Sequence, residues 1–213
     1  WVAVLLALAI GISGLGLSQL RLVGTPRTSQ WVNTGDVFMK QQRFAEAERC
    51  YKKALELDSR FAKAYLALGL LMNKQGMYDE AKDLFMSCLA IEPNVDALNN
   101  VGLWYDTNGD GQTAEKYFKD ALKLGETSQA HNNLGMVYGK RGENARALEH
   151  FDASLRINPD SARAWTNRGL VLYRLGRVSE AVDSWRRALR IDPGFGEARK
   201  AMQYIESSQG ASV

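Results

Sequence analysis

Five glycines, Gly35, Gly69, Gly102, Gly135 and Gly169, recur 33 or 34 residues apart, and that period constrains the fold more than any other feature of the chain. A unit of this length holds two short helices and a turn. It cannot bury its own apolar face, so successive units stack, and each is stabilised mainly by its neighbours. The extended surface of such a stack suits the holding of another chain better than it suits catalysis.

The register extends beyond the glycines. Trp31, Gly35, Phe38, Ala47, Tyr51 and Ala54 form the first set, and Tyr65, Leu68, Gly69, Ala81, Phe85, Cys88 and Pro93 the second. Leu98, Val101, Gly102, Tyr105, Ala114, Phe118 and Ala121 follow. His131, Leu134, Gly135, Tyr138, Ala147, Phe151, Ser154 and Pro159 come next, then Trp165, Gly169, Ala181, Trp185, Ala188 and Pro193. This pattern resembles the tetratricopeptide repeat, W-x2-L-G-x2-Y followed by A-x3-F, A and P, over about four-fifths of the chain. The departures are Ser59 and Glu126 at closing-proline positions and Arg168 in place of leucine.

The resemblance implies an all-α fold, a right-handed superhelical α-solenoid of helical hairpins, preceded here by a single apolar N-terminal helix. Five repeats are expected, at about 28–61, 62–94, 95–127, 128–161 and 162–195. Glycine and alanine belong where the two helices of a hairpin approach most closely, because a larger side chain would push them apart. Aromatics fill the spaces between helices, each burying about 150–250 Å². Prolines stand just past helix ends, where a missing N–H matters little. Residues 196–206 are read as a capping helix with Ala198, Ala201, Met202 and Ile205 on one face. The small, polar tail 207–213 is expected to fray.

At the other end, Trp1 to Leu20 contains no charged residue. As a helix rising about 1.5 Å per residue, it would span about 30 Å, the thickness of a bilayer's hydrocarbon core. The readings are a transmembrane or bundle-core helix (1–20), a retained secretory signal, or self-assembly outside a bilayer. A secretory signal should carry a basic leader, and because the chain opens on Trp, further residues are expected upstream. Ala3, Ala7 and Gly11 lie four apart, with Gly14 and Ser18 continuing the ridge. Small residues at this spacing let two helices pack closely in an apolar medium; they are also simply common in apolar helices. Residues 21–27 form a helix-breaking link, with Gly24, Pro26 and the cations Arg21 and Arg27. The cations slightly favour cytoplasmic repeats, and upstream charges could reverse that, so the side of the membrane is left open.

A net charge of +3 does not suggest a nucleic-acid partner. The last full repeat is rich in arginine (163, 168, 174, 177, 186, 187 and 190), either a solvated face interleaved with Glu180 and Asp183 or a contact for an acidic partner or lipid headgroup. Two cysteines are too few for a disulfide framework; Cys88 takes an alanine position and should be a buried thiol, while Cys50 has no evident mate. Asp106 to Gly111 matches the first half of a calcium loop, but Tyr117 stands where its glutamate belongs, so the stretch reads as an inter-helix turn. His131 and His150 have no ligand cluster in register. No nucleophile–base grouping or phosphate loop is visible, and the expectation is a non-enzyme with no cofactor and no metal.

In tetratricopeptide proteins the first helix of each hairpin lines the concave face, and the position two before the glycine points into it. By that resemblance, Asn100, Asn133 and Asn167, with Asn99 and Asn132 beside them, form a ladder able to bond an extended peptide's backbone. The alternative is that these amides bridge adjacent helices or face water. Leu66, Leu70, Leu103, Met136 and Leu170 should line the same face. The family's clamp for a C-terminal carboxylate is absent, since its basic positions hold Val32, Asp36, Leu66 and Ala67. The expected function is a membrane-anchored scaffold that binds an extended or helical protein segment and supports assembly of a larger complex. The alternative is a structural protomer that forms a homo-oligomer or extracellular, pilin-like filament through its N-terminal helices.

Overall fold

The computed structural model describes residues 28–210, with side chains to Ser207. The apolar run 1–20, including Ala3, Ala7, Gly11, Gly14 and Ser18, and the link 21–27 lie outside the described residues, as do residues 211–213. Among the described residues no helix is long and apolar enough to cross a membrane.

Eleven helices and no strands are present among the described residues. They are α1 (Thr28–Lys40), α2 (Phe44–Leu57), α3 (Ala62–Lys74), α4 (Tyr78–Ile91), α5 (Val95–Thr107) and α6 (Gly111–Leu124). The rest are α7 (Ser128–Lys140), α8 (Asn144–Ile157), α9 (Ala162–Arg174), α10 (Val178–Ile191) and α11 (Gly196–Gly210). The chain divides after Ser59 into two compact units. The first contains one hairpin, α1 against α2. In the second, α3 pairs with α4, α5 with α6, α7 with α8 and α9 with α10, and each hairpin packs on the next. The first helices α5, α7 and α9 also touch one another directly, which makes this unit an α-solenoid.

The glycine period has a single packing cause. A Cβ on Gly35 would meet the Tyr51 ring, on Gly69 Phe85, on Gly102 Phe118, on Gly135 Phe151 and on Gly169 Trp185, within 2.4–2.6 Å at the nearest atom in every case. Each hairpin therefore closes by laying the aromatic of its second helix flat against the bare backbone of its first. Where the aromatic carries a polar atom, that atom is bonded: Tyr51 Oη donates to Asp36 Oδ1 at 2.8 Å and Trp185 Nε1 to the Thr166 carbonyl at 3.1 Å. The alanines four residues before the aromatics, Ala47, Ala81, Ala114, Ala147 and Ala181, are all fully buried.

The helices stop where turn chemistry tells them to. Gly76, Gly109, Gly142 and Gly176 join first to second helices with φ between +75° and +87°, a region that favours glycine. In the α1–α2 turn Gln42 occupies the same region, at φ +60°. The calcium-like stretch is one of these turns, with the Asp110 carboxylate accepting from Thr113 N to cap α6. Asn94, Thr127 and Ser161 cap α5, α7 and α9 in the same way. Pro93, Pro159 and Pro193 fall two residues past the ends of α4, α8 and α10. With Ser59 and Glu126 at the matching positions, α2 and α6 end in the same register.

At the C-terminal end α11 packs Ala198 and Ile205 against Trp185, Leu172 and Ala188. It continues past Glu206, where the sequence suggests fraying, to Gly210. Both cysteines are buried and free, and burial pushes each thiol's pKa up.

Candidate peptide-binding face

The face built by the first helices contains the residues singled out in the sequence, and the structure sorts them into two kinds. Asn99, Asn132 and Asn133 are buried. A buried amide must find partners inside the protein, because leaving it unpaired costs about 1–3 kcal/mol. Each finds one in the adjacent hairpin. Asn133 Nδ2 donates to Asn99 Oδ1 at 3.5 Å, and Asn167 Nδ2 donates to Asn132 Oδ1 at 3.1 Å. Asn100 accepts from Asn73 Nδ2 at 3.0 Å and donates to the Asp96 carbonyl at 2.8 Å. These bonds tie successive first helices together, the bridging role that the alternative reading of the row expected. Asn100 and Asn167 are half-buried and keep an edge on the surface.

A second tie runs parallel to the first. The residue five after the repeat glycine reaches back to the one four after the preceding glycine: Lys140 Nζ to Asp106 Oδ2 at 2.8 Å, and Arg174 Nη1 to the Gly139 carbonyl at 3.0 Å. Glu115 fastens α6 to α7 in the same spirit, held by Lys119, Arg141 and Tyr138 at 2.5–2.9 Å. Burial works to raise the Glu115 pKa, but those three hydrogen bonds outweigh it and hold the carboxyl at about 2.

The apolar members are the ones the face offers outward. Leu70 and Leu170 are 41% and 43% exposed. Leu66 is half-buried; Leu103 and Met136 are half-buried against the core formed by Leu134, Val137 and Phe151. Two recesses lie among them. One, of about 680 Å³, is lined by Asn73, Met77, Tyr78, Asn100, Leu103 and Trp104 among others. The other, of about 210 Å³, is lined by Met136, Lys140, Phe151, Asn167, Leu170 and Arg174 among others. Trp104 is fixed by its Nε1–H donating to Asp79 Oδ1 at 2.9 Å, with the Lys82 ammonium 5.1 Å from a ring centroid. Tyr78, at the mouth of the larger recess, is 63% exposed.

Sequence reasoning missed Asn73, Trp104 and Tyr78. Asn73 stands four residues after Gly69, a position held by Asp106 and Gly139 in the next two hairpins. Its amide was visible in the sequence, but its partner 27 residues away was not. Trp104 lies two after a repeat glycine, outside the pattern's aromatic positions.

Comparison with known proteins bears on this face. Tetratricopeptide-repeat models match residues 102–156 and 132–194, with further matches over 35–76 and 62–95. A cell division cycle protein 27 homolog of Caenorhabditis elegans is 36% identical over 67 residues, 32% of this chain and 8% of that protein. The chain therefore spans less than a tenth of the curated relatives' length. Among solved structures, YrrB, described as a tetratricopeptide-repeat protein with an unusual peptide-binding site, superposes with a TM-score of 0.64 at 25% identity, covering 90% of this chain and 100% of its own. Pseudomonas aeruginosa pilF superposes with a TM-score of 0.73 at 22% identity over 87% of each chain, a likeness of fold.

Proposed function

This chain belongs to the tetratricopeptide-repeat family, and from that premise we propose that it is a scaffold that holds a segment of another protein on its first-helix face. The observation that carries this reading is the exposed Leu70 and Leu170 there, with Met77 and Tyr78 at the start of α4, beside recesses of about 680 and 210 Å³. Each recess pairs an apolar wall with an asparagine edge, Asn100 in one and Asn167 in the other. That combination suits a segment of mixed polarity: apolar side chains enter the recesses and a few backbone groups bond the amide edges, each bond worth about 1 kcal/mol net. The peptide-binding site named for YrrB supports a peptide ligand for a fold of this kind.

The proposal extends to membrane anchoring through the uncharged run Trp1–Leu20, as a single N-terminal span, with the scaffold supporting assembly of a larger complex there. A second reading, a self-assembling protomer, is favoured by one observation on the opposite side. Met86, Leu89, Pro93, Tyr117 and Leu124 line an apolar recess of about 510 Å³ on α4 and α6.

The test is the mass and composition of the native assembly, extracted gently in mild detergent from cells expressing the chain or its Leu70→Asp/Leu170→Asp variant. Both side chains are exposed, so the variant should fold. Foreign subunits in a fixed ratio to the chain, and reduced at least tenfold in the variant, are the expected result. A pure homo-oligomer, unaltered in the variant, would overturn the scaffold in favour of the protomer.

A further inference from the structure

The α9–α10 hairpin concentrates the chain's positive charge. Between residues 162 and 191 stand seven arginines, two acidic residues and no lysine, a net charge of +5 against +3 for the whole chain. A solvated helical face would leave these cations evenly neutralised or evenly exposed, and the structure does neither. Glu180 is clasped by Arg177 through two contacts at 2.7 and 2.6 Å, and Asp183 lies 3.5 Å from Arg186. Arg168, the residue that departs from the repeat pattern, bonds Asp152 at 2.7 Å and Ser184 Oγ at 2.9 Å. The acids of this surface are thus already engaged. Arg187 and Arg190 are exposed, and neither has a carboxylate within ion-pair distance among the described residues.

Those two arginines border a recess of about 410 Å³ whose back wall is Trp165. The indole does not rotate freely: its Nε1–H donates to the Pro159 carbonyl at 2.8 Å. The guanidinium carbons of Arg168 and Arg187 lie 5.8 and 6.0 Å from a centroid of its rings. An aromatic wall with guanidinium groups about 6 Å from its ring centre places an apolar contact next to charge-assisted hydrogen-bond donors.

We propose that this recess docks an acidic peptide segment, with carboxylates on Arg187 and Arg190 and an adjacent apolar side chain on Trp165. Glu180 and Asp183 line the recess too, but Arg177 and Arg186 hold them. A peptide can therefore set an apolar side chain against Trp165 and reach Arg187 and Arg190 with its carboxylates, which a flat lipid surface cannot do. The recess shares no lining residue with the two recesses of the first-helix face, so it stands or falls separately from the groove.

The experiment titrates the full chain in mild detergent into a fluorescein-labelled synthetic ten-residue peptide of alternating Glu and Leu, read by anisotropy at low and physiological salt. The wild type, Arg187→Glu/Arg190→Glu and Leu70→Asp/Leu170→Asp are compared, with far-UV circular dichroism confirming equal helicity. Saturable binding that is weakened at least tenfold more in the arginine variant than in the leucine variant, and reduced by salt, is the expected result. Equal affinity in the wild type and the arginine variant overturns the proposal. Loss in the leucine variant alone also overturns it, placing the peptide in the groove. Absence of peptide binding, with monomeric dihexanoyl phosphatidylserine bound by the wild type and not by the arginine variant, overturns it in favour of a lipid headgroup.

Discussion

At the scale of single residues, the five repeat glycines make the sharpest demand on the sequence. Gly135 sits under Phe151, and an added Cβ would lie 2.6 Å from the ring. Alanine is the better helix former by about 1 kcal/mol, while overpacking a filled core costs about 1–3 kcal/mol. Because Phe151 is itself buried and has nowhere to swing, the second effect should win. Gly135→Ala is expected to destabilise the second unit by about 1–2 kcal/mol in chemical denaturation. Adding Phe151→Leu should then cost less than Phe151→Leu does alone, since the smaller side chain relieves the clash. A Gly135→Ala variant as stable as the wild type would mean that the ring yields. The same packing explains why this period was legible in the sequence: the constraint comes from one contact repeated five times. The arginine at 168 was not legible in that way. A charge at a leucine position acquires meaning only when Asp152 and Ser184, each 16 residues away, are seen to receive it.

At the scale of helices, the pattern shows which residues share a face but not how deep each one sits. Asparagines two before the glycine suggested a ladder open to a ligand, because spacing places them on the first-helix face. Spacing cannot report depth, and Asn99, Asn132 and Asn133 sit deep enough to need each other. The histidines show the same blindness. His131 on α7 and His150 on α8 share no motif, yet their Nδ1 atoms lie 3.0 Å apart, and the Tyr138 ring stacks on His150. One ring must donate and the other accept, so the contact needs at least one neutral imidazole. Glu126 and Arg156 act on His131. On His150, besides His131, the acting groups are Glu149, Lys119 and Glu115. For both rings burial is the largest influence and lowers the pKa below the ordinary 6.5. The unfolded chain therefore takes up protons first as the pH falls. Stability from this pair is present above pH 6.5 and drains away toward the lowered folded pKa values. The midpoint of urea unfolding should fall between pH 7 and 5.5, and His150→Phe should flatten that slope. An equally steep slope in the variant would assign the pH dependence to other groups.

At the scale of the molecule, the four hairpins of the second unit and their cap form a stack in which each layer leans mainly on its neighbours. In such an array stability is close to a sum of local terms, so damage at one end should stay near that end. The α11 cap tests this. Ile205 is buried against the cluster that contains Trp185, Leu172 and Ala198. Placing a carboxylate there removes apolar contact and buries an unpaired charge, a change expected to cost roughly 3–5 kcal/mol. Ile205→Asp should therefore speed hydrogen exchange in α9, α10 and α11 by a hundredfold or more while α3 to α6 exchange within a fewfold of the wild type. A wider loss would travel through the ties between first helices, Asn167 to Asn132, Arg174 to Gly139 and Asn133 to Asn99, and through apolar packing such as Val171 against Phe151 and Val137. Uniform acceleration along the unit would mean that those links make it a single cooperative block, and a bound segment at one recess would then be felt at the other. Confined acceleration would leave the recesses energetically separate, so that a partner spanning both would gain from each in turn.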